Sequence, residues 1–152
     1  MTEACVLCER LGLDRSAGGW IVRTQLWAVC PHPALQAPGW FCLTPTRHVE
    51  SFAGLTNAEA AELGARLREL DSALRAVTDA EYSHAYSLGA NVRHLHILLG
   101  VAQPGGGKAA RGAALLKRVL DKDATLVDVA LTDSTRIMTQ RILSAATQNG
   151  DR

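Results

Sequence analysis

Two short patterns in the 152-residue chain could do chemistry. Cys5 and Cys8 form a C-x-x-C, a spacing that serves either as half of a zinc site or as a redox pair. A redox pair of this type stands between a strand and a helix, and no strand precedes Cys5, which favours a metal. The second pattern is Val92-Arg93-His94-Leu95-His96-Ile97-Leu98-Leu99. In a strand successive side chains alternate, so His94, His96 and Leu98 would share one face and Leu95, Ile97 and Leu99 the other. Two imidazoles on one face are either polar surface or a site. His48 follows another strand-like run, in Pro45-Thr46-Arg47-His48. Cys30 and Cys42 lie within apolar stretches and read as small buried hydrophobes.

Composition narrows the ligand class. At 47% apolar and 20% charged, the chain is an ordinary globular one, long enough for a single domain over 1–152 with its own core. Lys and Arg number 16 against 15 Asp and Glu, so no strong field is available to grip a long nucleic acid or an acidic membrane. A small-molecule ligand is the expectation. No apolar run approaches the roughly 18 residues of a membrane span, and the acidic opening MTEACVLCERLGLDR is unlike a secretory leader. The expected compartment is the cytoplasm, where thiols stay reduced and four cysteines are not a disulfide framework.

These residues need elements to position them. Trp20 to Val29 is rich in β-branched and aromatic residues and reads as a strand, broken by Pro31, Pro33, Pro38 and Gly39 before a second strand over Trp40 to Thr44. Thr56 followed by Glu59 is a capping box. Leu63, Leu67, Leu70, Leu74 and Val77 then recur on one face, predicting a long amphipathic helix over about 57 to 77. Strands are expected near 82 to 88 and 92 to 100, separated by Gly89, Ala90 and Asn91. A Pro/Gly loop spans Gln103 to Gly107, and helices are expected over Lys108 to Leu120 and about Ser134 to Ala146. The order is that of an α+β domain on an antiparallel sheet of about five strands.

Over about residues 5–100 the chain resembles the histidine-triad superfamily. The matching residues are His94-Leu95-His96-Ile97-Leu98-Leu99 and the preceding Pro38-Gly39-Trp40-Phe41-Cys42-Leu43-Thr44-Pro45-Thr46-Arg47-His48-Val49, with the Leu55-Thr56 helix start and Gly89 in the same order. The variable C-terminal part, about 108–147, lies outside the match. The resemblance implies a structural zinc held by Cys5, Cys8, His48 and His94, whose two thiolates and two imidazoles would leave no open coordination position. It implies that His96 is the nucleophile of a nucleotide hydrolase or nucleotidyltransferase, attacking an α-phosphate and carrying the nucleotidyl group covalently. It also implies a nucleotide substrate and a homodimer.

Two positions depart from the superfamily pattern. The third His of the triad is Leu98 and the His that follows Pro-Gly is Trp40, and neither can replace an imidazole at a phosphate. Asn91 is a candidate phosphate contact or a turn residue, His32 a ribose or base contact or a solvated loop residue, and Trp40 a stacking platform or core filler. Lys108 and Arg111 follow the Gly-rich loop where a leaving phosphate could sit, and His84 reads as structural. The alternative function is a zinc-stabilised, catalytically degenerate nucleotide-binding or scaffold protein on the same fold, or an enzyme with repurposed pocket chemistry.

Overall fold

The computed structural model describes residues 4–32, 37–81, 83–89, 91–102, 105 and 107–150. Pro33, Ala90 and, in the Pro/Gly loop, Gln103, Pro104 and Gly106 lie outside the described residues. Five strands form one antiparallel sheet in the order β1-β2-β3-β5-β4: β1 Val22–Arg23, β2 Trp27–Pro31, β3 Trp40–Pro45, β4 Ser83–Ser87 and β5 Ile97–Val101. Helices α1 Val6–Gly12, α2 Asn57–Thr78, α3 Gly112–Leu120 and α4 Val129–Gly150 surround it. The α+β reading of the sequence therefore holds. No described helix is long and apolar enough to cross a membrane.

Period-two alternation divides the core between the two sheet faces. Trp27, Val29, Phe41, Leu43, Leu99 and Val101 pack on one face against Leu70, Ala73 and Leu74 of α2 and Leu143 of α4. Ala28, Cys30, Trp40, Cys42 and Leu98 pack on the other, against Leu11 of α1 and Leu115 and Val119 of α3. Trp40 lies flat over Gly100, where a Cβ would fall 2.3 Å from the indole. Only glycine leaves room for that ring.

The strand expected over Trp20 to Val29 is two, because the backbone turns between β1 and β2, where Thr24 N and Oγ1 both donate to the carbonyl of Trp27. The strand expected over 92 to 100 starts only at Ile97. Continuing the β3–β5 register would set Pro45 opposite Leu95, and proline has no N–H for the ladder. The carbonyl of Leu95 is taken instead by Thr44 Oγ1 at 2.8 Å, and its N–H by the carbonyl of Val49 at 2.5 Å. His94 and His96 thus stand in an extended lead-in rather than in the strand itself.

α2 carries the capping box that the sequence announces, Thr56 Oγ1 accepting from Glu59 N while the Glu59 carboxylate accepts from Thr56 N. The same buried carboxylate takes two bonds from Arg47, at 2.8 and 3.2 Å, which ties the segment carrying His48 to the start of α2. Arg47 and the Thr56 N–H hold the Glu59 carboxyl down at about 2, below its ordinary 4.5. A depressed carboxyl stabilises the fold above its unfolded value and ceases to do so as pH falls through its folded one. Replacing Glu59 by Gln should cost about 1 kcal/mol at pH 7. The gap between the two proteins should close between about pH 4.5 and 2 in paired urea titrations; a gap independent of pH would refute this role.

Candidate functional site

α1 begins at the C-x-x-C. Cys5 is its N-cap, and its thiol accepts from Cys8 N at 3.5 Å, so the first turn of the helix brings the two sulfurs together. Leu7 and Leu11, on the buried side, fix the helix to the sheet. A seven-residue helix gives too little periodicity to be read from sequence, and none was expected here.

The sulfurs meet two imidazoles. Cys5 Sγ lies 3.4 Å from His94 Nδ1, Cys8 Sγ 3.5 Å from the same nitrogen, and Cys8 Sγ 3.3 Å from His48 Nδ1. All four ligand atoms fall within 4.8 Å of one another. Sulfur and nitrogen on one tetrahedral zinc, at the usual bond lengths, would be about 3.6 Å apart, so the set fits that ion. The four residues that the resemblance implies as ligands are brought together.

Hydrogen bonds outside the cluster decide which ring nitrogens can bind metal. His94, fully buried, has Nε2 3.1 Å from the carbonyl of Pro45. A carbonyl only accepts, so Nε2 carries the proton and Nδ1 presents its lone pair to the thiols. His48 Nε2 lies 3.9 Å from a carboxylate oxygen of Glu50, which in turn pairs with Arg93 at 3.1 Å. Burial lowers the pKa of His94, which favours the neutral, ligating form. Desolvation and the adjacent Cys5 thiol push Cys8 up to about 11, so metal binding would have to expel its proton. The supporting carbonyl of Pro45 and carboxylate of Glu50 were not singled out from sequence; for Glu50 the only signal is its place two residues after His48.

The same logic applies to His96. Its Nδ1 lies 2.7 Å from the carbonyl of His94 and must donate, which leaves Nε2 unprotonated in the neutral ring. The ring is half-buried. Backbone thus links the two histidines, since the residue clamped at the cluster supplies the carbonyl that orients the next imidazole.

The remaining candidates are placed as follows. Asn91 lines an open cleft beside the Cys/His cluster, with Cys5, His48, Glu50 and Arg93. Trp40, 4% exposed and stacked with Tyr86, has the surroundings of a core ring, one of the two roles its sequence left open. Leu98, also 4% exposed, lies beneath α3 with Cys42. His32 follows β2 in a half-buried position, and burial above all pushes its imidazole down to about 4. His84 accepts from Gly112 N at 3.3 Å and so fastens the start of α3, a structural role. Lys108 and Arg111 are exposed.

No protein-family model matches the chain, and no curated protein matches it. Solved structures do. A zinc-bound histidine triad family protein from Mycobacterium smegmatis superposes with a TM-score of 0.66 at 14% identity, covering 96% of this chain and 97% of that one. A hypothetical histidine triad nucleotide-binding protein from Sulfolobus tokodaii strain7 gives 0.66 at 13% identity, covering 93% of each chain. A uridylyltransferase gives 0.64 at 18% identity, covering 93% of this chain and 46% of that one. The chain has the histidine-triad fold.

Proposed function

We propose that this protein is a nucleotide hydrolase or nucleotidyltransferase of the histidine-triad type, with His96 as nucleophile and a structural zinc on Cys5, Cys8, His48 and His94. The observation that carries the reading is the 2.7 Å bond from His96 Nδ1 to the carbonyl of His94, which fixes the tautomer a nucleophile needs. Nε2 attacks the α-phosphorus of a nucleoside phosphate derivative. An N–P bond forms as the bond from phosphorus to the leaving group breaks, and the leaving group departs with that electron pair. The ring becomes cationic, and the carbonyl facing Nδ1–H stabilises that charge. Water, or another acceptor, then attacks phosphorus, gives up its proton, and returns the lone pair to Nε2. Zinc, with four protein ligands, would supply folding free energy and not Lewis acidity.

A second reading rests on Leu98 and Trp40. Both stand where the resemblance expects imidazoles, and both are buried hydrophobes, as they would be in a nucleotide-binding protein that has lost transfer chemistry. Quenched single-turnover mixing with α-32P-labelled nucleotides separates the two: transfer predicts an acid-labile label on wild type, and its absence with every nucleotide tried would favour the binder. The proposal also carries a homodimer. Sedimentation velocity should find twice the 16.3 kDa chain mass, and a monomer at micromolar concentration would remove that part.

A further inference from the structure

The two faces of α4 carry the reverse of what a helix with one partner needs. Its inward face, packed on α2, holds Thr135, Thr139 and Leu143, and among the described residues Thr139 Oγ1 is buried without a hydrogen-bond partner. The outward face holds aliphatics: Leu131, Ile137, Met138 and Ile142 stand 40 to 49% exposed. A surface helix ordinarily keeps its apolar stripe for the core. Four such side chains together make a patch on the order of 300 Å2, a size that often marks a binding surface.

The charges on that face identify its partner. Between Ala130 and Ala145 the exposed positions of α4 carry only two, Asp133 and Arg141. Residues four apart follow one another along a helix, so Asp133, Ile137 and Arg141 form one row, with Leu131, Met138 and Ile142 beside it. Ile137 is midway between the two charges, and the midpoint of Leu131 and Ile142 falls within one residue of it. A second α4 crossing antiparallel at Ile137 would therefore set Asp133 against Arg141 and Leu131 against Ile142, each twice by symmetry. Among the described residues Arg141 has no carboxylate partner in its own chain, and Asp133 pairs only with Arg136, at 3.7 Å. A face that answers itself on rotation fits a second copy of this chain.

We propose that the outward face of α4 is the contact of a two-fold homodimer, in which two copies of the helix pack antiparallel about Ile137 and Asp133 pairs with the partner's Arg141. The inference rests on the homodimer proposed above and assigns its surface. Ala130, Ser134 and Ala145 on the same face are short enough to let the helices approach closely. Packing over three turns would bury on the order of 1,000 Å2 in total, the size at which an interface becomes specific. The aliphatic row supplies the free energy, and the charge pairs set register and orientation.

Sedimentation velocity of the metal-loaded full chain, over a concentration series, reads the contact. Asp133→Arg and Arg141→Asp each set like charges together twice and should each weaken self-association at least about tenfold. An equimolar mixture of the two variants should recover the wild-type dimer, because every charge then faces its opposite again, and so should the chain that carries both changes. Met138→Glu should leave a monomer. Far-UV circular dichroism should find all of these variants as helical as wild type, since the altered side chains are exposed. Association unchanged by the single reversals, or a mixture that stays monomeric, overturns the α4 contact. The two readings fail separately. A dimer indifferent to all three single substitutions leaves the homodimer and removes its surface, whereas a monomeric wild type removes the homodimer and this contact with it.

Discussion

Replacing Cys8 by Ser should strip the protein of about one zinc per chain, read by metal analysis after gel filtration, and should lower its melting temperature by roughly 10 °C or more. The size of the effect follows from what the cluster joins. Cys5 and Cys8 begin a seven-residue helix, His48 follows β3, and His94 lies in the lead-in to β5. A helix of that length does not persist alone in water, so Leu7 and Leu11 stay buried only while something else holds α1 to the sheet. Without a metal, only weak hydrogen bonds to sulfur would join these thiols and imidazoles. The loss should be at least several kcal/mol, and at about 2 to 4 °C per kcal/mol for a domain of this size it becomes a large shift. Cys30→Ser is the necessary control. Cys30 is buried on the sheet face and is no ligand, so that variant should lose stability but keep its metal. Full zinc content in Cys8→Ser would refute the ligand set.

Much of this was legible in the sequence, and the parts that were not share a cause. The span of α2 was readable because Thr56 and Glu59 cap it and Leu63, Leu67, Leu70, Leu74 and Val77 recur on one face, and the structure sets it at Asn57–Thr78. β3 was equally plain. What periodicity could not show was where ladders break. Strict alternation put His94 and His96 on one shared face, but the missing N–H of Pro45 ends the β3–β5 pairing at Ile97, and the two rings part. His94 is buried at the cluster while His96 is half-exposed. Proline also supplies the acceptor, its carbonyl, that sets the tautomer of His94. α1 was too short to read from periodicity. Lys108 and Arg111 drew attention because they follow a glycine-rich loop.

Substituting His96 by Ala should abolish the acid-labile nucleotidyl label and lower turnover by on the order of a thousandfold or more, since no other route supplies a covalent acceptor. The variant should fold and keep its zinc. The ring of His96 bonds the backbone carbonyl of His94, and His96 is not one of the four clustered residues. Truncation therefore removes the attacking nitrogen without disturbing the clamp beneath it. His96→Asn sharpens the test. An asparagine amide can still donate to the carbonyl of His94, so orientation and nucleotide affinity should survive, but it has no basic nitrogen to bond phosphorus. Both variants should thus lose turnover to a similar extent while differing in affinity, a split between kcat and Kd that a purely structural role for His96 would not produce. Label retained on His96→Ala would place the nucleophile elsewhere, and peptide mapping of the labelled residue would show where. If His96→Ala weakens nucleotide binding and wild type itself never turns over, the ordered imidazole at position 96 is a binding group, and the buried Leu98 and Trp40 mark where the chemistry was lost.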